Sequence, residues 1–337
     1  MIKSTELHNL ISQSEKIVVI QADNPDGDSI ASSLALEAIL TDIGKEVSMY
    51  CGVDIPGYLR YLNGWDRVVN QLPNEFDLSI IVDTSSLLLL ESLQKSGQIN
   101  WLRSKPSIVI DHHKSEATID FAKIYNDPAA ASCTEVIYHI AKENKWTIPI
   151  DAAEFIAVGI LSDSLGLISE STSAKTIHAV ADLVDSGVSL AKLDNIRRQF
   201  QKKQPELLKY KGRLLERVEY SEDNRIAHIT IPWDEIEKYS PLYNPPMLVM
   251  DEMRQVENAQ IAIAFKTYPD GRITGKIRAN YGYGVADKLA EHFGGGGHIY
   301  ASGFRVTDGR KIDQIKQEVF QLTSELLDKI KNDNDKR

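Results

Sequence analysis

The segment Lys16-Ile17-Val18-Val19-Ile20-Gln21-Ala22-Asp23-Asn24-Pro25-Asp26-Gly27-Asp28 decides the fold: a short apolar run, a turn, and two carboxylates two residues apart. Runs this brief, rich in Ile and Val and bounded by polar residues, predict strands buried on both faces. Two further runs repeat the arrangement. Leu78-Ser79-Ile80-Ile81-Val82 ends on Asp83, and Ser107-Ile108-Val109-Ile110 leads into Asp111-His112-His113. In an open parallel sheet the ligand crevice lies outside the carboxyl ends of the strands. Three such strand ends would place these acidic and imidazole groups in one crevice. Crowded carboxylates repel unless cations neutralise them, so the pattern predicts a metal cluster.

Working outward, strand-like and helix-like segments alternate from Ile17 to about Asp185. Residues 29–40 have helical spacing with small residues near the start, which lets a helix pack close to a sheet. A second strand is predicted over 46–50, and helices over 129–143, 152–161 and 176–184, the last ending near Gly187. This alternation predicts a doubly wound α/β domain with a largely parallel sheet. Residues 190–216 are strongly charged and predict helices on either side of Pro205, a linker between domains. Glu206 and Glu216 interrupt its basic run, so it reads as a solvated face rather than a nucleic-acid patch. Beyond it, residues 225–232, 260–267 and 272–278 predict strands of a smaller, more antiparallel sheet. A helix is predicted over 285–293, and Gly294-Gly295-Gly296-Gly297-His298 comes next. The expected layout is a first domain over 1–188, a helical linker over 189–222 and a second α/β domain over 223–332. No internal repeat is evident, and the charged tail over 332–337 is expected to fray.

At 337 residues the chain is long enough for two full cores. Its 42% hydrophobic and 26% charged residues are ordinary for a soluble protein. The net charge of -10, from 38 basic and 48 acidic residues, argues against gripping long duplex nucleic acid. A small anionic substrate stays open, because bound divalent cations and a local basic pocket override the global sign. The 2 cysteines, Cys51 and Cys133, lack the spacing of a disulfide framework or zinc knuckle and are predicted as core thiols. The N-terminal segment lacks the basic and apolar stretches of a secretory signal, and no apolar run is long enough to cross a bilayer. A cytoplasmic protein with no membrane partner is therefore expected.

The Asp26-Gly27-Asp28 pair can serve two neighbouring divalent ions. Taken alone it is equally an Asp-rich turn with a helix cap, since Asn-Pro-Asp-Gly is good turn chemistry. Asp83, at a neighbouring strand end, could bridge both ions; His112 offers a nitrogen and Asp163 a further oxygen. This mixture favours Mn²⁺ or Mg²⁺ over zinc. Two such ions about 3.5–4 Å apart are the usual arrangement for in-line attack on phosphorus. In the glycine run, backbone amides can converge on an anion without side-chain obstruction; the alternative is a flexible turn. His298 would add a donor and Arg278 a two-pronged contact to phosphate. The methionines of 247–253 read as core packing, and His8, His139, His178, His228 and His292 as structural or surface residues.

Asn24-Pro25-Asp26-Gly27-Asp28, Asp83, Asp111-His112-His113 and Asp163 resemble the four motifs of the DHH phosphoesterases. Gly294-Gly295-Gly296-Gly297-His298, with Ala301-Ser302-Gly303-Phe304, resembles the signature of their DHH-associated C-terminal domain. The resemblance covers nearly the whole chain, and the layout is most similar to the oligoribonuclease (nanoRNase) and pAp-phosphatase branch. It implies a metal-binding catalytic domain followed by a substrate-binding one. Asp26 and Asp83 would hold one ion, and Asp28, Asp83, His112 and Asp163 the other. His113 would face the substrate phosphate, and Asp111 would orient the neighbouring imidazoles. Arg278, His298 and the amides of Gly295, Gly296 and Gly297 would bind the far end of the substrate.

The implied activity is hydrolysis of short oligonucleotides or dinucleotides to mononucleotides, and of 3′-phosphoadenosine 5′-phosphate (pAp) to AMP. Two Mn²⁺ ions, with Mg²⁺ as the alternative, would activate a hydroxide. The second domain would close over the first and so measure substrate length. A cyclic- or linear-dinucleotide phosphodiesterase and a non-catalytic nucleotide-binding protein are the competing readings. A homodimer is compatible with the sequence. Two departures stand out. Ala22 occupies the position where the family usually has a histidine ligand, leaving Gln21 or Asp23 as replacements. Leu165-Gly166-Leu167-Ile168 also stands where a Gly-x-Phe-Arg element is usual.

Overall fold

In the computed structural model the described residues are 2–114, 116–221 and 224–334, and the chain divides into two compact units, Met1–Lys202 and Lys203–Arg337. The first unit carries strands β1 (Lys16–Ile20), β2 (Glu46–Tyr50), β3 (Val68–Val69), β4 (Leu78–Val82), β5 (Ser107–Asp111) and β6 (Lys123–Asn126). They form one sheet in the order β3-β2-β1-β4-β5-β6, with every pairing parallel. Its helices are α1 (Ser4–Ser12), α2 (Gly27–Asp42), α3 (Glu91–Lys95), α4 (Ile99–Arg103), α5 (Cys133–Glu143), α6 (Ile150–Asp163), α7 (Ala174–Asp185) and α8 (Leu190–Phe200). Alternation within the strands assigns the two layers. Ile17, Val19, Ile80 and Ile110 join the core under α2, α5 and α6, whereas Val18, Ile20, Ile81 and Val109 join that under α3 and α4. Helices on both faces explain why these strands read as unbroken apolar runs. The chain winds outward from β1 to β3 and returns at β4 on the other side of β1, so the strand order reverses between β1 and β4. That switch point is where the crevice of such a sheet forms.

α2 is buried around most of its circumference, which its small residues permit. Its start is fixed by a capping box: Asp26 Oδ1 accepts the amides of Asp28 and Ser29, and the Ser29 hydroxyl oxygen accepts the Asp26 amide. α5 begins at Cys133, four residues after the predicted start, because the Ser132 hydroxyl caps it by accepting the Glu135 amide. Both cysteines are buried free thiols, as expected.

The second unit contains α9 (Pro205–Leu215), α10 (Trp233–Tyr239), α11 (Met250–Arg254), α12 (Ala286–His292) and α13 (Ile312–Asn334), with strands β7 (Glu219–Ser221), β8 (Ile226–Ile231), β9 (Ile261–Thr267), β10 (Ile273–Ala279), β11 (Gly296–His298) and β12 (Ala301–Val306). The sheet order is β11-β12-β10-β9-β8-β7, parallel only between β8 and β9, hence mixed. One face packs on α12 and α13 through Ile263, Phe265, Ile277 and Phe304. On the other face α9, α10 and α11 cover β8 and β9, burying Ile229, Ala262 and Ala264 among others. Along β10, buried residues alternate with half-buried Thr274, Lys276 and Arg278.

The two helices flanking Pro205 form as expected, but each joins a core. Leu190 and Leu193 of α8 pack in the first unit, and Leu207, Tyr210 and Leu214 of α9 in the second. Met250 and Met253 are buried core residues, whereas Met247 is exposed. Asn332 to Asn334, expected to fray, continue α13. Residues 335–337 of that tail lie outside the described residues, as do Glu222 and Asp223 at the expected end of the linker. No described helix is long and apolar enough to cross a membrane.

Candidate metal centre and anion-binding face

β1, β4 and β5 lie side by side and parallel, so their C-terminal ends share one edge of the sheet. Asp28 stands in the first turn of α2, Asp83 directly after β4, Asp111 at the last position of β5, and Asp163 at the end of α6. His112 collects them. Its Nε2 is 3.3 Å from Asp163 Oδ2, 3.4 Å from Asp83 Oδ1 and 3.9 Å from Asp28 Oδ2. His113 Nδ1 lies 3.9 Å from Asp83 Oδ1 and 2.7 Å from Asp111 Oδ1. Two sets of donors result, each with its ligand atoms within 4.8 Å of one another: Asp28, His112 and Asp163, and Asp83, His112 and His113. Side-chain exposure rises from 0% at Asp28 through 12% at His112 and 26% at Asp163 to 37% at His113, so the cluster opens toward solvent on the His113 side.

Each group has a local reason to be where it is. Asp28 reaches the N-terminus of α5, where its Oδ2 accepts the Cys133 amide at 2.6 Å. Its Oδ1 accepts the Thr134 amide at 3.1 Å and the Thr134 hydroxyl at 2.9 Å. A helix N-terminus favours a carboxylate. Gly159 of α6 makes room: a Cβ there would stand 2.3 Å from Thr134 Oγ1 and 2.5 Å from Asp28 Oδ1. Asp83 adopts a left-handed backbone (φ 60), a strained conformation of the kind that clusters at functional sites. Asp111 Oδ1 accepts the amides of His112 and His113 and bonds His113 Nδ1. It therefore orients one imidazole ring, that of His113, and reaches His112 only through its backbone.

The charges are unbalanced. Burial, then the Asp163 carboxylate, pushes Asp28 up to about 7. Burial and Asp28 raise Asp83 well above the usual carboxylate range. Burial works against a charged His112, yet Asp163 and Asp83 beside it push its pKa up to about 11. Burial is the largest single influence on the Asp111 carboxylate and opposes its charge, but the bond and charge of His113, the Ser85 hydroxyl and the His113 amide together hold the group below its ordinary value. Asp83 Oδ1 and His112 Nε2 are buried with no hydrogen-bond partner. Clustered carboxylate oxygens and imidazole nitrogens, short of positive charge and with two unpartnered buried polar atoms 3.4 Å apart, fit a divalent cation.

Asp26 belongs to neither donor set. Its Oδ1 caps α2, so the turn-and-cap reading is correct for that oxygen, and the residue stays within electrostatic range of Asp163 and Asp83. Asp23 is turned away: its Oδ2 accepts the Ser92 amide at 2.6 Å and its Oδ1 lies against Gly52. It is therefore not placed to stand in for the histidine that the family resemblance would put at Ala22. Gln21 is fully buried, with neither amide atom hydrogen-bonded. Neither Thr134 nor Gly159 stands out in the sequence. Their signal is indirect, a small hydroxyl residue opening one helix and a glycine near the end of another.

In the second unit the register puts Arg278 opposite Ala301, and Ala301 opposite His298. Directly opposed residues point to one face, so Arg278 and His298 share the sheet face that carries α9, α10 and α11, with Arg254 and Asp251 of α11 beside Arg278 and the exposed β11 at the far edge. The glycines divide by role. Gly295 donates its amide to Ala290 at 2.9 Å, and a Cβ there would stand 2.2 Å from the Gly303 carbonyl oxygen. Its amide is thus not free for an anion, contrary to expectation, and its role is close packing. A Cβ on Gly296 would meet nothing within 4 Å. Gly296→Ala should therefore leave the unfolding midpoint unchanged. If an anion approaches that backbone, it should raise KM for a nucleotide substrate by about tenfold, about 1.4 kcal/mol.

A doubly wound unit with carboxylates and imidazoles at the ends of three parallel strands, followed by a mixed-sheet unit with a glycine-rich basic edge, defines a DHH-type phosphoesterase. The chain belongs to the DHH family: residues 16–160 match the DHH family N-terminal domain and residues 248–325 the DHHA1 domain. It is 26% identical over 325 residues to the bifunctional oligoribonuclease and PAP phosphatase NrnA of Bacillus subtilis, covering 95% of this chain and 99% of that one. It is 28% identical over 191 residues, 54% of this chain and 60% of the relative, to a probable manganese-dependent inorganic pyrophosphatase of Enterococcus faecalis. The crystal structure of an exopolyphosphatase-related protein from Bacteroides fragilis shares the fold at a TM-score of 0.83, with 20% identity and 97% of each chain covered.

Thr134→Val tests how Asp28 is held. It removes a hydroxyl hydrogen bond to a buried carboxylate, which should cost about 1.5–3 kcal/mol in urea unfolding of the metal-free protein. A change below about 0.5 kcal/mol would mean that the two amides suffice.

Proposed function

We propose that this chain is a Mn²⁺-dependent phosphoesterase that cleaves short oligonucleotides and dinucleotides to mononucleotides and converts pAp to AMP. The observation that carries the reading is the convergence of Asp28, Asp83 and Asp163 within 3.3–3.9 Å of His112 Nε2 from three separate elements. Asp26, Asp28, Asp83, His112 and Asp163 are the side chains that would hold the cations. When bound, divalent ions polarise phosphoryl oxygens and activate water near neutral pH.

The chain's own groups do the rest. Asp111 holds His113 by Nδ1, which leaves Nε2 as the nitrogen offered to a phosphoryl oxygen. The α5 N-terminus and Thr134 keep Asp28 pointed into the cluster. Arg278, Gly296, Gly297 and His298 bind the remainder of the substrate through its phosphate. Residues 1–188 accordingly carry the chemistry and 223–332 the recognition, with 189–222 joining them. The names of the curated relatives support a nucleotide substrate, and the net charge of -10 supports a short one.

A panel of dinucleotide, pAp, cyclic dinucleotide and pyrophosphate with Mn²⁺ tests the reading. Turnover of the first two is expected. Turnover of pyrophosphate alone, or of the cyclic dinucleotide alone, would replace the substrate assignment; nucleotide binding without turnover would replace the enzyme.

A further inference from the structure

At the margin of the face covered by α11 in the second sheet, Lys276 stands two residues before Arg278 on β10, so both half-buried side chains leave the same face. Register sets Lys276 opposite Gly303, and Gly303 opposite Gly296, in the row next to Arg278, Ala301 and His298. Two adjacent rows thus read lysine-glycine-glycine and arginine-alanine-histidine. Each spans about 10 Å from its basic residue on β10 to β11. The floor between the basic groups carries no side chain beyond the Ala301 methyl.

Among the described residues neither Lys276 nor Arg278 has a carboxylate within ion-pair distance. The Arg278 guanidinium donates only to the carbonyl of Ile277, at 2.9 Å. The one acidic group felt by Arg278, Asp251, is paired with Arg254 at 3.2 Å. The charged neighbours of Lys276 are Arg278 and Lys266, and Lys266 is engaged by Asn244 Oδ1 at 2.9 Å. Burial, then Arg278, lowers the Lys276 ammonium from its ordinary value. Two half-buried like charges beside a bare floor, with no counter-charge, are costly unless an anion neutralises them.

We propose that Lys276 and Arg278 form a seat for a dianionic phosphate monoester, so that a nucleotide ending in a terminal phosphate is bound in preference to one ending in a hydroxyl. The proposal rests on the phosphoesterase reading and makes Lys276 the residue that tells a terminal phosphate from a bare hydroxyl end. A monoester carries nearly two charges at neutral pH against the single charge of a diester, and the paired cations match the former.

Calorimetry of the full-length chain without metal compares the 5′-phosphorylated dinucleotide pApA with ApA, which lacks the terminal phosphate. Wild type should prefer pApA by about tenfold or more, Lys276→Met should bring the two affinities together, and Lys276→Arg should keep most of the preference. The methionine retains the apolar stem, so the fold is expected to survive; Lys276→Gln serves as a second neutral variant. Equal wild-type affinities, or a preference that persists in both neutral variants, overturn the seat. Turnover of the same probes with Mn²⁺ reports separately on the phosphoesterase reading. Loss of turnover on both, with the calorimetric preference intact, rejects that reading and leaves the seat standing.

Discussion

Asp83→Asn is expected to lower Mn²⁺-dependent release of mononucleotide from a dinucleotide by about a thousandfold or more in kcat/KM, about 4 kcal/mol of barrier. The residue stands at the switch point of the sheet, with an orphaned oxygen 3.4 Å from His112 Nε2. Asparagine is the informative replacement because it tolerates the left-handed backbone found here (φ 60), which a β-branched or bulky residue would not. The stability readout separates a ligand from a structural residue. Burial and Asp28 already disfavour the Asp83 carboxylate, so a neutral amide should leave the metal-free protein at least as stable as wild type. Mn²⁺ should raise the wild-type unfolding free energy by about 2.7 kcal/mol at a hundredfold excess over Kd. It should do little for Asp83→Asn. Turnover above about a tenth of wild type would end the metal-centre reading.

How much of the site is legible in the sequence depends on how local each signal is. The strand-end carboxylates are legible because a parallel sheet forces its strand ends together, and three runs ending in Asp83, Asp111 and the Asp26-Gly27-Asp28 turn need no side-chain detail. The fate of Asp26 is not: whether its oxygen caps a helix or faces outward depends on one rotamer. The anchoring of Asp28 by Cys133 and Thr134 joins residues more than a hundred positions apart and leaves no periodic trace. β3 and β6 escape notice because edge strands of two and four residues carry little pattern. α13 is different. Ile315, Val319, Thr323 and Leu327 recur every fourth residue and are all buried, a helical stripe diluted by surrounding charges. Lys276 becomes meaningful only when register places it beside Arg278 over two glycines.

Gly159→Ala should inactivate the enzyme through Asp28 without touching any proposed ligand. In an ordinary helix interior this change stabilises by about 1 kcal/mol. At α6 the new methyl would stand 2.3 Å from Thr134 Oγ1 and 2.5 Å from both Thr134 Cγ2 and Asp28 Oδ1, all fully buried. Overpacking of this kind costs about 1–3 kcal/mol, so the steric effect outweighs the propensity gain. The cheapest relief is for Asp28 to swing off the α5 N-terminus, which takes its Oδ2 away from His112 and lowers kcat by about a hundredfold. Adding Thr134→Ala removes two of the three clashing atoms but also a hydrogen bond to Asp28. The double variant should therefore regain part of the lost stability, with clear non-additivity, while activity stays low. If Gly159→Ala proves as active as wild type, Asp28 is not held where the reaction needs it, and the assignment of that carboxylate to the metal centre fails.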